Sequence, residues 1–488
     1  MEKKYALGID FGGGSSKATL IDREGMVVRT ASSEYPTHYY EGGGAEQTPH
    51  DWYLAAVKNI KAVIEGIDPS LIGCVSFDAA THTAVLMDGD GEPVSDSVYW
   101  TDTRPSSEVA YLAEKYGDEI YRKCKHRVST IWSLPEIMYV KNTRPEVFSR
   151  VRRVTFAKDY VRGLFTGDFV TDYIEAEGSM LFDFDTMDWD DELLALAGLT
   201  RENMPTVVAP TDTVGTVTRT AAEKTGLAEG TPVICGATDT AMEVYAAGAV
   251  KTGDATLKLA TAGRICVVSD KLTPDGNIVN YSHIKPGLFY PGSATKSCAS
   301  SLRWFRDSFG TDYAELDRLA EEVPVGSDGL IFHPYLMGEL TPYASSELRG
   351  SFTGISAGHT KGHFARAVME GVAMSLLDGI EYLKERGIEV GSRVTAIGGG
   401  AKSPLWRSIV SDALGITLVL KDGVDSSLGS ALLAGVAAGF FPDIDTAVAR
   451  AERIIAVTEP CRENTEKYKK LHKKYRKISE FLLELSKI

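Results

Sequence analysis

The chain has 488 residues, of which 43% are apolar and 24% charged, with a formal net charge of −15. That length is too great for one hydrophobic core, so two large domains or three smaller ones are expected, and the lack of any long biased tract excludes a disordered or fibrous chain. The acidic balance argues against a broad nucleic-acid surface, which needs clustered cations, but leaves room for local anion binding by backbone N–H groups.

The six cysteines, Cys74, Cys124, Cys235, Cys266, Cys298 and Cys461, form no CxxC pair. Four of them lie in apolar contexts, which fits buried thiols in a reducing compartment better than disulfides or a zinc site. The opening MEKKYALGID enters a strand without an apolar signal core, and no apolar run of about 18 residues occurs anywhere. A soluble cytoplasmic protein is the expectation.

In chain order, Tyr5 to Asp10 reads as a strand, followed by Gly12-Gly13-Gly14-Ser15-Ser16, a second strand Lys17 to Asp22 and a third, Met26 to Thr30. The glycine turn either offers N–H groups to a phosphate or is only a flexible hairpin. A helix follows from Pro49 to about Ile67, with proline at its first turn. Leu71 to Phe77 is a strand. The polar stretch Asp78-Ala-Ala-Thr81-His82-Thr83 after it is a candidate binding loop, although a lone histidine there also serves as a hydrogen-bonding turn residue. Tyr99 to Pro105 is another polar cluster, in which Asp102 and Arg104 are placed to pair with each other. From Pro105 to about Gly198 the pattern is mostly helical and rich in aromatic residues, as in a layer covering the first sheet.

The stretch Cys235 to Val250, CGATDTAMEVYAAGAV, is the focus of the chain. A buried strand runs into a small-residue turn and then an Ala-rich helix, with Asp239 where the helix begins. An acid at a strand end among small residues suits a general base that removes a hydroxyl proton; it also suits a simple N-cap.

The second half repeats the layout of the first. Asp254 to Val268 is again strand, small-residue turn, strand, and each half carries a later long helix, at 49–67 and at about 361–386. Ser392 to Ile397 is a strand ending in Gly398-Gly399-Gly400, where a flat group is able to lie against the backbone, and a helix follows to Leu414. The small-residue helix Ser427 to Phe440 implies close packing against a neighbour or ligand. The basic segment Lys467 to Ile488 invites a nucleic-acid or membrane reading. However, Tyr468, Leu471, Tyr475, Ile478, Leu482 and Leu485 recur every three or four residues, so a docking face with solvated lysines opposite is preferred.

With these motifs in hand, the chain resembles the FGGY carbohydrate kinases over roughly residues 5 to 440, nearest to the xylulokinase branch. The most specific segment is Gly350-Ser-Phe352-Thr-Gly354-Ile355, seven residues, then His363-Phe364-Ala-Arg-Ala367-Val368-Met369-Glu370. GGGAKSPLWRSIVSDALG at 398–415 is similar to the family's adenosine segment, PYLMGELTP to its PYLxGERTP, and Arg144 to Gly167 to the xylulokinase central region.

The resemblance implies an α/β, two-domain actin-like ATPase (ribonuclease H-like) fold with an interdomain cleft. Residues 1–250 would form the sugar-binding domain with the catalytic base, 251–445 the ATP-binding domain, and 446–488 helices packing on the latter. It implies an ATP-dependent kinase that transfers the γ-phosphate to a pentose ketose, xylulose first, with ATP and Mg2+ as cofactors. Asp239 would be the base. Asp10, Gly12, Gly13, Ser15 and Lys17 would face the phosphates, and Thr261 and Gly263 would form a second phosphate turn. Gly399, Gly400, Ala401 and Ser403 would border the nucleoside. Thr81, His82, Asp102, Asp239 and Thr240 would contact the sugar, and Asp10 and Asp239 would serve the metal. The implied partners are a small-molecule sugar, with neither nucleic acid nor membrane, and the family allows a homodimer.

Departures from the family pattern weigh on the substrate. Gly13 stands where relatives carry Thr, Ala260-Thr261-Ala262-Gly263 replaces GTSG, and Glu136, Tyr139 and Leu340 replace Lys, Trp and Arg. Of the sugar loop QMHG only His82 is kept, and Thr240 replaces Asn. Such changes alter shape and hydrogen bonding in a pocket, so ribulose, a pentitol or another small polyol stays open. An actin-like nucleotide-switch ATPase and a non-catalytic sugar-binding regulator are the alternatives of another class.

Overall fold

The computed structural model describes residues 2–488. The chain folds into two compact units. The first comprises Met1–Gly248, Tyr281–Leu288 and Gly423–Glu452; the second comprises Ala249–Asn280, Phe289–Asp422 and Arg453–Ile488.

In the first unit, β1 (Tyr5–Phe11), β2 (Ser15–Asp22) and β3 (Val27–Glu34) form an antiparallel meander, and α1 (Pro49–Ile64) leads to β4 (Ile72–Ala79), parallel to β1. The region between Ser106 and Ala197 is helical, as the sequence predicts, with short strands interspersed. Two of its helices are α2 (Ser133–Thr143) and α3 (Ala157–Thr166). The edge of the sheet is completed by β5 (Thr213–Thr216) and β6 (Pro232–Ile234), giving the order β5-β6-β4-β1-β2-β3, with β7 (Ala237–Thr238) also on β4. Next comes α4 (Asp239–Ala246). The core lies between the sheet and α1 and α3: Leu7, Ile9, Phe77, Trp52, Ile60 and Phe165 are buried, and the Phe77 and Phe165 rings meet edge-on at 5.1 Å.

The second unit repeats this plan. Strands β8 (Ala255–Leu259), β9 (Gly263–Val267) and β10 (Gly292–Thr295) form an antiparallel meander. After α5 (Tyr313–Glu321), the long α6 (Lys361–Glu385) precedes β11 (Arg393–Ile397), which is parallel to β8 as β4 is to β1. Helix α7 (Pro404–Leu414) leads to β12 (Thr417–Lys421), parallel to β11. The echo between the halves seen in the sequence is therefore one of topology.

Helix α8 (Ser426–Ala437) belongs to the first unit. Its small residues answer to close backbone packing. A Cβ on Gly8 of β1 would stand 2.2 Å from the Ser427 carbonyl, and one on Gly429 the same distance from the Met242 carbonyl of α4. β13 (Ile454–Thr458) then closes the second sheet, in the order β10-β9-β8-β11-β12-β13. The final helix, α9 (Arg462–Leu485), buries Tyr468 and Tyr475 and packs Leu471, Ile478 and Leu482 on the second core. Leu485, expected on that face, is instead 52% exposed where the helix ends. No helix among the described residues is long and apolar enough to cross a membrane.

Candidate active site

The end of β4 differs from its sequence reading. Asp78 and Ala79 continue the strand, so Asp78 lies within the sheet, opposite Asp10 on one side and Ala237 on the other. The Asp10 and Asp78 carboxyl groups are paired in register inside the sheet, each with one buried oxygen that has no hydrogen-bond partner among the described residues, and Ser430 of α8 donates to Asp78 Oδ2. Burial, with the charges of Asp239 and Asp425 nearby, pushes Asp10 up to about 7; burial and Asp10 itself raise Asp78. Like charges in such a buried pair cannot both ionise cheaply, so ionisation of one carboxyl opposes that of the other. The sequence reading placed Asp78 in the polar loop after the strand and gave it no role of its own, although an acid beside an apolar strand is itself a sign of a special environment.

The turn after β1 is open. The N–H of Gly12 bonds to the Ser15 carbonyl at 3.0 Å, while those of Gly13 and Gly14 have no partner among the described residues. The carbonyls point away from that opening: Gly12 accepts from the Tyr35 hydroxyl, and Gly13 from the Thr37 hydroxyl and from Gln47 Nε2 at 3.0 Å. The turn thus presents two exposed donors beside an acid pair, an arrangement suited to phosphate oxygens. Lys17 pairs with Asp425, whose carboxylate also caps α8 by accepting from the N–H of Leu428.

Asp239 is the first residue of α4 and not its cap. Thr238 fills that role, its hydroxyl accepting from the N–H of Ala241. The Asp239 carboxylate accepts from the backbone N–H and hydroxyl of Thr240, at 2.5 and 3.2 Å. Upstream, buried Arg162 bonds the Cys235 carbonyl at 2.8 Å, and buried Lys158 bonds Asp159 and Asp172. This buried network fixes the strand that delivers Asp239.

His82 sits at φ 77°, a left-handed conformation that non-glycine residues avoid unless held. Its N–H donates to Glu175 at 2.8 Å and its carbonyl accepts from Ser133 at 2.6 Å. Its ring meets Trp132 edge-on at 4.6 Å, and Nε2 bonds the Tyr281 hydroxyl at 2.7 Å. The His126 ring stacks on Trp132 at 4.5 Å. Gly178 makes room for the imidazole, since a Cβ there would lie 2.2 Å from Nδ1. Thr81 stands at the same contact. Trp132, His126 and Tyr281 are separated from His82 in sequence and carried no periodic signal.

Asp102 is fully buried and committed within the protein. It accepts from the Ala45 N–H and from Arg104 Nε, both at 2.9 Å, so the pairing anticipated for Asp102 and Arg104 is present. Glu136 is 2% exposed, and burial holds its carboxyl well above the ordinary range.

The second unit contains a cavity of about 590 Å³ at the ends of β8 and β11. Its floor is Gly399 and Gly400, its walls include Leu302, Tyr313 and Trp406, and its polar groups include Thr261, Asp317, Lys402 and Ser403. A Cβ on Gly399 would meet nothing within 4 Å, whereas one on Gly400 would press on Trp406 at 2.8 Å. Gly263 is held glycine by Thr295, 2.7 Å from where its Cβ would be. Ala401 lies in the core and does not line the cavity. Tyr313 and Asp317, from α5, were not foreseen, because nothing local marks a helix as a cavity wall. Size, flat floor and apolar walls suit a purine nucleoside.

A meander-plus-parallel-strand plan repeated in both units, with a glycine-lined cavity at the strand ends of the second, is the architecture of the actin-like ATPase class. The FGGY family of carbohydrate kinases matches with its N-terminal domain at residues 5–245 and its C-terminal domain at residues 261–438. The chain belongs to that family. It is 32% identical over 482 residues to xylulose kinase of Bacillus subtilis, covering 97% of this chain and 96% of that one. It is also 30% identical over 457 residues to a gluconokinase of the same organism, covering 90% and 89%. Among solved structures, xylulose kinase from Rhodospirillum rubrum superposes with a TM-score of 0.93 at 28% identity, covering 99% of this chain and all of that one.

Proposed function

We propose that this sugar kinase uses ATP to phosphorylate a five-carbon ketose, xylulose first. The observation that carries the reading is the placing of Asp239, the first residue of α4 directly after the strand end, with Thr238 rather than Asp239 capping the helix. In the proposed step Asp239 accepts the proton of a sugar hydroxyl. That oxygen forms a bond to the γ-phosphorus, the bond to the β–γ bridging oxygen breaks, and ADP leaves. The first unit takes the sugar, through Thr81, His82 and Thr240, with Asp102 holding the wall by way of Arg104. The second unit takes the nucleoside over Gly399 and Gly400, with Ser403 and Lys402 at its edge.

Magnesium, when bound with the nucleotide, would neutralise phosphate charge. The acids suit it: burial, with the charges of Asp239 and Asp425 nearby, raises the Asp10 carboxyl, and a divalent cation would favour its ionised form. Asp10 and Asp239 would hold the ion through its water shell, and the N–H groups of Gly13 and Gly14, beside Ser15, would take phosphate oxygens. Thr261 and Gly263 would serve the second phosphate turn. The loss of hydroxyls at Gly13 and Ala262 leaves backbone donors to carry that load.

A second reading, gluconate as substrate, is favoured by the gluconokinase relative at 30% identity. We further infer a cytoplasmic enzyme, with the homodimer to be tested by light scattering. The deciding experiment is coupled ADP release with ATP and magnesium across xylulose, both ribuloses, ribitol, xylitol, erythritol, glycerol, gluconate and a no-sugar control. One strong responder, silent without sugar, establishes the substrate. Equal release regardless of sugar would mean a nucleotide switch instead.

A further inference from the structure

Helix α9 reverses the charge of the chain. In a protein of net charge −15, residues 462–485 hold eight Lys and Arg against four Glu. The apolar stripe of α9 accounts for its docking but not for this excess. Part of the excess lines a concave site in the second unit, a cavity of about 790 Å³ between α9, α6 and the turn after α7. Its floor is apolar, with Leu377, Ala413 and Leu414.

Five cations line this cavity: Lys384 from α6 and Lys469, Lys470, Lys473 and Arg476 from α9. Two are already answered. Lys469 pairs with Glu466 at 2.7 Å, and Arg476 with Glu381 at 3.2 Å. His472, at the cavity edge, is bonded to Asp378 at 2.7 Å. Lys384, Lys470 and Lys473 are exposed and have no ion pair within 4.0 Å among the described residues. Lys470 and Lys473 share a helix face three residues apart, where like charges repel, and Lys384 faces the same cavity from another helix. Unpaired cations converging on one concavity from two elements are an arrangement that an anion relieves.

We propose that this groove is an anion site for a small phosphorylated molecule, held by Lys384, Lys470 and Lys473. Its volume falls in the range of small-molecule pockets. A nucleic-acid strand would require a longer track of phosphate contacts than three lysines in a hollow provide.

The test is isothermal titration of inorganic pyrophosphate into the full chain, saturated with ADP so that the nucleotide cavity is filled. The wild type is compared with the triple variant Lys384→Ser, Lys470→Ser, Lys473→Ser and with Lys470→Ser alone. All three side chains are exposed and lie outside the proposed catalytic machinery, so sugar-dependent ADP release serves as the folding control. The wild type is expected to show a binding event that the triple variant loses and the single variant weakens by about tenfold, and that fades as salt is raised. Identical isotherms for wild type and variants would overturn the proposal. Lysine-dependent cosedimentation with phosphatidylglycerol vesicles, without lysine-dependent pyrophosphate binding, would overturn it in favour of a membrane headgroup.

Discussion

The Tyr281 hydroxyl and His82 Nε2 meet at 2.7 Å across 199 residues of chain. The contact brings the segment Tyr281–Leu288 into the first unit, where Ser282 also bonds Glu177 and the His283 carbonyl accepts from Tyr173. If His82 reads the sugar, Tyr281 orients the imidazole. Tyr281→Phe keeps the ring and deletes one hydrogen bond, worth about 1 kcal/mol. Steady-state kinetics are expected to show the sugar KM raised roughly fivefold with kcat nearly unchanged, since the lost contact orients the binding group without touching the reacting atoms.

Gly178→Ala tests the same histidine by sterics. The new methyl would lie 2.2 Å from Nδ1, so the ring has to leave its place between Trp132 and Tyr281. Overpacking of this kind costs about 1–3 kcal/mol. Sugar binding measured by calorimetry is expected to fall sharply, while ATP binding in the other unit is unchanged. Equal loss of both would indicate general unfolding instead.

Asp239 and Thr238 are adjacent and separable. Asp239→Asn is expected to lower kcat by about 10²–10⁴-fold, the span of general-base catalysis, and to leave urea stability unaltered because the cap is intact. Thr238→Ala is expected to cost about 1 kcal/mol of stability through loss of the cap. An Asp239→Asn protein with full turnover removes the base assignment.

Glu177 carries a pH signature. Burial raises its carboxyl to about 8, against the lowering effect of its bonds from Ser282. A raised acid is protonated in the folded state and ionised in the unfolded one, so its contribution is fully present below 4.5 and is lost as pH rises toward 8. In urea titrations at pH 5, 6, 7 and 8, Glu177→Gln is therefore expected to gain on the wild type by roughly 1 kcal/mol per pH unit. A constant difference across that range would show that the carboxyl is not raised.

Much of the fold was legible because it rests on local pattern. The meanders, α1, α6 and α7, and the docking stripe of α9, follow from periodicity and from proline and glycine at their ends. The turns at Gly12–Ser15 and Gly398–Gly400 and the acid at Asp239 were readable for the same reason, since glycines and acids at strand ends leave a local mark. Tertiary structure alone decided which distant side chains share a space. Parallel pairing of β1 with β4 sets Asp78 against Asp10, a crossover some 60 residues long that no local pattern encodes. The return of α8 to the first unit depends on Gly8 and Gly429 allowing backbone contact, and the assembly of Trp132, His126 and Tyr281 around His82 depends on three separate segments. Strand and helix periods arise from neighbouring residues. Paired buried carboxyls, cavity walls and ring contacts arise from distances that exist only once the chain has closed on itself.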